Sequence, residues 1–169
     1  MSDEGASPRE LLLEACRRDN TDLLEKILKE NTSAEFLNDS RDALGNTALH
    51  VAAQYGSYHV MDELLDQEGL EVDPINTMEQ ETPLHKAVIY TRDDPELGLE
   101  VVKLLVDAGA DPRIRNKSKM RPIDIADARN DELKEILQTA EYSINAGDDI
   151  VDESNDYDEG DLASGSDDD

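Results

Sequence analysis

The sequence is poor in the residues that build aromatic cores and disulfide frameworks. Its 169 residues include no Trp, one Phe and one Cys. A single Cys cannot form an intramolecular disulfide, which argues against a small cross-linked secreted fold. No apolar run approaches the roughly 18 residues of a membrane span, and the start, MSDEGASPRE, lacks signal-peptide features. We therefore expect a protein of the cytoplasm, the nucleus or both, without membrane insertion.

Positive charge is also scarce. The chain has 16 Lys plus Arg against 42 Asp plus Glu, which gives a formal net charge of -26 and a pI near 4.2. Such a surface repels nucleic-acid phosphates and anionic membranes, so direct nucleic-acid binding is not expected. The same charge attracts basic proteins and raises their rate of encounter.

The chain contains internal repeats. Three similar segments, TALHVAAQYG from Thr47, TPLHKAVIY from Thr82 and RPIDIADARN from Arg121, begin 35 and 39 residues apart. Paired aliphatic residues follow each start at helical spacing. A fourth, more divergent copy is LLLEACRRDNTDLLEKIL near the N-terminus. A period of this length is typical of solenoid proteins.

These segments resemble the ankyrin repeat, whose signature is T-P-L-H-x-A. Residues 82–87 match it in full, and residues 47–52 differ at one position. The resemblance implies an all-α ankyrin solenoid with hairpin fingers between about four helix-turn-helix repeats. Their approximate boundaries are residues 9–40, 41–76, 77–115 and 116–142. Residues 1–8 are expected to form a flexible N-terminus and residues 143–169 a disordered acidic tail.

Two local patterns refine this outline. Ser7-Pro8-Arg9-Glu10 predicts a capping box with proline in the first helical turn, so folded structure should begin there. The third repeat carries an insertion at residues 91–98, which we expect to protrude as a loop. Within it, Asp94-Pro95 predicts the restart of a helix.

No catalytic, cofactor or metal site emerges from the sequence. His50 and His85 hold the fourth position of the signature, where the family uses histidine for structural hydrogen bonds. Cys16 takes a small-residue position and is expected to pack as an apolar side chain. The Cys and His spacing fits no zinc site, and phosphate-binding glycine loops and serine nucleophile elbows are missing. We predict a non-enzymatic protein without a cofactor.

Ankyrin proteins usually bind partners through finger tips and the exposed face of the first helices. Because Tyr is enriched at binding hot spots, the tyrosines are attractive anchors, but one or two of them could instead pack between repeats. Carried over by position, the resemblance implies contacts from Ala43, Leu44, Asn46, Gln54, Tyr55, Met78, Glu79, Glu81, Ile89, Tyr90, Lys117, Ser118, Met120 and Arg129.

The third finger concentrates positive charge. Arg113, Arg115, Lys117, Lys119 and Arg121 occupy every second position, so they would share one side of an extended hairpin. All five join the predicted contact set. Three interpretations stay open: the bases face the chain's own carboxylates, including the tail; they touch the partner; or they are simply solvated.

The C-terminal segment is the most acidic part of the chain. Residues 148–169 hold 11 Asp plus Glu and no Lys or Arg, a composition that predicts disorder. The segment is either a solubilising tail or a binding arm with isolated apolar anchors. Ser164 and Ser166 each have Asp three residues on, so both are predicted phosphorylation sites of an acid-directed kinase.

The repeats and the charge together predict a function. Size, repeat number, acidic tail and the segment ADPRIRNK resemble small fungal ankyrin-repeat chaperones that escort a newly made small-subunit ribosomal protein. We therefore expect a monomeric protein-binding chaperone of a basic client in ribosome biogenesis. The alternative is an ankyrin adaptor that docks a signalling or transcription regulator. A third possibility is RNA binding through the basic finger.

Overall fold

The computed structural model describes residues 5–156, with side chains to residue 147, and within this part the regular structure is helical, without strands. The helices are α1 (Pro8–Arg18), α2 (Thr21–Glu30), α3 (Ala34–Asp39), α4 (Ala48–Gln54), α5 (Tyr58–Leu65), α6 (Pro83–Tyr90), α7 (Pro95–Asp107), α8 (Pro122–Ile125) and α9 (Asp131–Asp156).

The helices form antiparallel pairs that stack in two layers. Helices α1, α4, α6 and α8 contact one another in succession and make the first layer. Helices α2, α5, α7 and α9 do the same in the second layer, and each packs on its partner in the first. The predicted all-α solenoid of about four repeats is therefore confirmed.

The core between the layers is aliphatic. Ala15, Ala52 and Ala87 are fully buried at equivalent places of successive first-layer helices, where their small side chains permit close approach. Leucines fill the space between the layers, and they include Leu12, Leu24, Leu49, Leu64, Leu84, Leu105, Leu133 and Leu137. Burial of each leucine contributes roughly 1.5–3 kcal/mol relative to exposure, so stacking of neighbours is the main stabilising term.

The folded structure begins at the predicted capping box. The Ser7 hydroxyl accepts a hydrogen bond from the Glu10 N–H, and the Glu10 carboxylate accepts one from the Ser7 N–H. Pro8 takes the first helical position, where no N–H is needed. This prediction is confirmed.

A buried histidine joins each central repeat to the next. The Thr47 N–H donates to Nδ1 of His50 over 3.0 Å, so the imidazole proton is on Nε2 and donates to the Glu81 carbonyl over 2.7 Å. His85 repeats the arrangement with the Thr82 N–H and the Met120 carbonyl. Both side chains are buried, and the predicted structural role of both histidines is confirmed.

The last repeat uses a carboxylate in place of this histidine. Asp124 accepts a hydrogen bond from the Arg121 N–H over 2.9 Å, which caps helix α8. Helix α8 is only four residues long, and Ala126 follows it outside the helix. The polar substitution fits a terminal repeat that has no further neighbour to bond in the described part of the chain.

The insertion in the third repeat is not the loop that we expected. Only residues 91–94 lie outside helices, and Asp94 caps α7 by accepting a hydrogen bond from the Leu97 N–H. The remaining residues extend α7 at its N-terminus, with Pro95 in the first turn as predicted. Buried Gly98 permits this, because a Cβ there would lie 2.7 Å from the Thr91 Cα.

Helix α9 continues without a break to Asp156, past the predicted repeat boundary at residue 142. Leu133, Leu137, Ala140 and Ile144 recur at helical spacing, so the apolar stripe continues past residue 142. Residues 1–4 and 157–169 lie outside the described residues. The predicted phosphorylation sites Ser164 and Ser166 belong to the second of these ranges. The short helix α3, capped by Ser33, was not predicted.

Acid should destabilise this fold through His50, whose pKa burial lowers from 6.5 to about 4. The unfolded chain binds a proton below about pH 6.5, whereas the folded chain resists protonation, so stability is lost as the pH falls through this window. Linkage predicts a loss of about 2 kcal/mol from this group between pH 7 and pH 5. Urea unfolding at both pH values should show a smaller loss in His50→Gln and an unchanged loss in His59→Gln, which alters an exposed histidine.

Replacement of two helical glycines by alanine should have opposite effects on the stability of the protein. Gly98→Ala forces a methyl group against Thr91 and should destabilise the protein, whereas Gly147→Ala in α9 meets nothing within 4 Å. The second change should stabilise by about 0.5–1 kcal/mol, the usual helix-propensity gain. Thermal unfolding of both variants tests this, and a stabilised Gly98→Ala would contradict the close packing of residues 91 and 98.

Candidate functional site

Three short connections between repeats project beside the first-layer helices. We call them finger 1 (residues 42–46), finger 2 (76–81) and finger 3 (116–120). Each closes by a backbone hydrogen bond from its first N–H to its last carbonyl. In each, the first side chain, Asp42, Asn76 or Asn116, accepts hydrogen bonds from two further backbone N–H groups. The fingers are tight turns rather than the extended hairpins that the repeats imply.

Neighbouring fingers are tied together. The Thr77 N–H donates to the Leu44 carbonyl over 3.0 Å, and the Lys117 N–H donates to the Glu79 carbonyl over 2.8 Å. Asn76 also donates from its side-chain amide to Asn46 over 2.9 Å. Together with the two histidine bonds, these contacts make the fingers a firmly positioned row rather than independent loops.

The row presents apolar side chains to solvent. Leu44 is 48% exposed, Met78 55% and Met120 37%, and Tyr55 at the end of α4 is 49% exposed. Large exposed apolar side chains that cluster in one region mark binding surfaces more often than isolated ones do. The predicted contact residues Leu44, Tyr55, Met78 and Met120 are therefore accessible.

Two adjoining depressions lie along this surface and share Ile89. The methionine groove, with a volume of about 340 Å³, is lined by Met78, Glu79, Glu81, Ile89, Arg92, Asn116, Lys117, Ser118, Met120 and Ile125. The tyrosine groove, of about 460 Å³, is lined by Gln54, Tyr55, Lys86, Ile89, Tyr90 and Asp93. The structure thus brings most of the predicted contact residues together in one continuous surface.

Some predicted contact residues serve the scaffold instead. Asn46 and Glu81 are 2% and 7% exposed. Asn46 bonds Asp42 and Asn76, and Glu81 lies 3.3 Å from the Lys86 ammonium. The ring of Tyr90 packs over Gly56, where a Cβ would lie 2.4 Å from it. Asn46 and Glu81 therefore support the fingers and Tyr90 packs between repeats, while a contact of these residues with a partner stays a prediction.

The five bases around finger 3 do not share one side as predicted. Arg113 bonds Asp111 and donates to Asn145 of α9 over 3.1 Å. Arg121 bonds Asp124 and Glu141, the latter over 2.9 Å. Both guanidiniums flank finger 3 and bond side chains of α9, so they hold α9 beside the finger.

Three further bases differ in their surroundings. Arg115 donates to the Lys119 carbonyl over 2.9 Å and lies 4.0 Å from Asp124. Lys117 and Lys119 are exposed at the finger tip, and within residues 5–147 neither ammonium group has a hydrogen-bond or ion-pair partner. Lys119 also adopts a left-handed φ of 67°, which turns the tip. The free positive charge of finger 3 is thus confined to two lysines.

The sequence interpretation missed several groove residues, among them Arg92 and Ile125. Arg92 donates to the Ile125 carbonyl over 2.5 Å and closes the end of the methionine groove. The repeat signature marks neither position, because Arg92 and Ile125 come together only as a result of the short helix α8. Arg129, which we predicted as a contact, lies away from both grooves and pairs with Asp127.

A larger cavity of about 710 Å³ lies in the second layer between α7 and α9. Its lining includes Val106, Ile136 and Ile144 but none of the predicted contact residues. We place the candidate site at the fingers, because the exposed apolar side chains and the predicted contacts converge there.

Reactive groups are held in structural positions. Burial raises the pKa of the Cys16 thiol to about 12, so the thiolate is not populated at neutral pH. Across the residues that the structure describes, no group of three His, Cys, Asp or Glu side chains could hold a metal ion. No helix in that part of the chain is long and apolar enough to cross a membrane.

The sequence of this chain is similar to those of known proteins. The family described as ankyrin repeats (3 copies) matches residues 12–116. An ankyrin repeat-containing protein of Saccharomyces cerevisiae is 43% identical over 153 residues, which cover 86% of this chain and 84% of that protein. Another from Schizosaccharomyces pombe is 32% identical over 70% of this chain and 75% of its own. Alpha-latrocrustotoxin-Lt1a of Latrodectus tredecimguttatus is 34% identical over 48% of this chain but only 5% of the toxin.

The docking of α9 on finger 3 should depend on Arg121. Arg121→Gln removes the ion pairs with Asp124 and Glu141 and should cost about 1 kcal/mol, since both sides of the Glu141 pair are largely shielded. Amide hydrogen exchange in residues 138–147 should accelerate as well. Arg129→Gln is the matched control, because Arg129 is 91% exposed and bonds only its neighbour Asp127. Equal effects of the two variants would contradict the docking role.

Proposed function

Because this chain belongs to the ankyrin-repeat family, a family of protein-interaction modules, we propose that it binds a basic client protein across fingers 2 and 3. The observation that carries the proposal is the continuous surface of the methionine and tyrosine grooves on a protein with a net charge of -26. The client is proposed to lay apolar side chains in the grooves while its Lys and Arg face the surrounding carboxylates.

The grooves supply the anchoring contacts. Met78, Met120 and Tyr55 offer accessible apolar surface, and methionine side chains adapt to irregular partners. The backbone beneath them is fixed by the histidine and finger hydrogen bonds, so little ordering entropy is lost when a partner binds. Aromatic and flexible apolar anchors on a rigid support are typical of binding hot spots.

Charge favours a basic partner. The two grooves are lined by balanced charges, Glu79, Glu81 and Asp93 against Lys86, Arg92 and Lys117, so the preference for a basic partner rests on the net charge of -26 of the whole chain. Long-range attraction speeds association with a basic protein, and neutralisation of the client's charge would shield it from RNA and from aggregation.

The finer proposal is that this client is a newly made ribosomal protein of the small subunit. It rests on the acidic charge and on the resemblance to small fungal ankyrin-repeat chaperones. In this proposal the protein acts as a monomer in the cytoplasm, the nucleus or both, and accompanies its client before assembly. Neither a cofactor nor a catalytic step is involved.

Affinity purification from a fungal cell extract tests the client class. The purified protein should retain one dominant basic partner that is released when NaCl rises from about 0.1 M to about 0.5 M, because screening weakens the attraction. Recovery of an acidic or neutral partner that withstands high salt would contradict the chaperone proposal. It would favour an adaptor for a signalling or transcription regulator.

Substitution in the methionine groove tests the site. Met78→Ser with Met120→Ser should weaken binding of the purified client roughly tenfold or more, the scale of hot-spot losses. Ile75→Ser is the control, because Ile75 is 47% exposed but lines neither groove. Calorimetric titration gives the affinities, and an unaffected double variant would place the client elsewhere.

A further inference from the structure

We propose that the tip of finger 3 is a binding site for an acidic peptide segment, and that its occupant is the chain's own C-terminal segment, residues 157–169. The site consists of Lys117, Ser118 and Lys119, next to the exposed Met78 and Met120. The inference concerns a contact within one molecule and does not need a client.

The two lysines differ from the arginines near finger 3. The arginines on either side of finger 3 bond groups within the chain: Arg113 bonds Asp111 and Asn145, and Arg121 bonds Asp124 and Glu141. Lys117 and Lys119 keep unpaired ammonium groups within the described residues although the chain carries 42 carboxylates. Their backbone N–H groups are occupied by Glu79 and Asn116, so only the ammonium groups are offered to a ligand.

The ligand chemistry follows from these neighbours. Two ammonium groups with exposed methionine side chains beside them suit a carboxylate-rich segment that also carries an apolar residue. Residues 157–169 have this composition, with no Lys or Arg and with Tyr157 and Leu162. Its acidic residues are Asp158, Glu159, Asp161, Asp167, Asp168 and Asp169.

The route of the chain brings this segment close. Helix α9 is docked on finger 3 at Glu141 and Asn145 and ends at Asp156. At 1.5 Å per residue, the helix end lies about 17 Å along the axis from Asn145. Residues 157–169 can span on the order of 40 Å when extended, so they reach back to the finger tip. Tethering gives an effective concentration in the millimolar range, enough to populate even a weak contact.

Occupation of this tip would cover Met120 and the edge of the methionine groove. If that groove holds the client, a consequence that rests on the proposed function, the C-terminal segment must leave before the client binds. Ion pairs at an exposed surface are weak and screened by salt, so the contact is expected to exchange rapidly.

Paramagnetic broadening of methionine methyl signals in the full-length chain tests the proposal. Ser166→Cys accepts a nitroxide label, because the native Cys16 is buried and its thiol stays protonated. With the label attached, at about 20 mM salt, the methyl signals of Met78 and Met120 should lose roughly half their intensity. Met61, which is fully buried, is the internal reference and should keep its signal.

Matched substitutions identify the site. Lys117→Gln with Lys119→Gln should restore the Met78 and Met120 signals, as should about 0.5 M NaCl. Lys26→Gln with Lys29→Gln is the control, because these lysines are also exposed and have no ion-pair partner within the described residues. The control should leave the broadening unchanged.

Three results would overturn the proposal. One is the absence of selective broadening at low salt, and another is broadening that persists in the Lys117→Gln/Lys119→Gln variant. The third is broadening in a mixture of labelled, unenriched chains with unlabelled, isotope-enriched chains, which would assign the contact to a second copy. None of these results bears on the client, so failure here and failure of the proposed function are distinguishable.

Discussion

The structure depends on a buried imidazole that spans from one repeat to the next. His50 and His85 each accept a hydrogen bond from the backbone N–H at the start of their own helix and donate one to a carbonyl of the following finger. A single side chain therefore caps a helix, aligns neighbouring repeats and positions the finger. Because the bond is buried, the loss of either partner would leave the other unsatisfied, and the stack gains order from contacts between adjacent repeats.

The histidine hydrogen bonds fix the positions of the fingers. Their first residues, Asp42, Asn76 and Asn116, bind the turn backbone, and backbone bonds join one finger to the next. The exposed methionines and Tyr55 then rest on a fixed frame, and the proposed preference for a basic partner rests on the net charge of -26. Packing acts at short range and fixes the positions of the exposed side chains. Electrostatic attraction acts at longer range and, in the proposed function, favours a basic partner.

Finger 3 shows how a charged stretch divides its roles once it is folded. Arg113 and Arg121 hold α9, whereas Lys117 and Lys119 remain available at the tip. The same helix that these arginines dock carries the chain toward its acidic end. Engaged and unpaired bases therefore lie within nine residues of sequence, and the division follows from which side chains face α9 rather than from their spacing.

The sequence predicted the repeats, the capping box at Ser7 and a structural role for the histidines, because the signature motif and short helical periodicity mark them. The carbonyls that His50 and His85 bond, 31 and 35 residues away, could not be predicted in this way. The sequence also placed Leu44, Tyr55, Met78 and Met120 on the accessible surface. The structure was needed to show that Asn46 and Glu81 are buried, that residues 95–98 extend α7, and that α9 passes residue 142. The extension of α7 depends on the close packing of Gly98 on Thr91. Burial and docking depend instead on partners distant in sequence: Asn76 for Asn46, Asn116 for Glu81, and Arg121 for α9. Repeat periodicity carries no information about such partners.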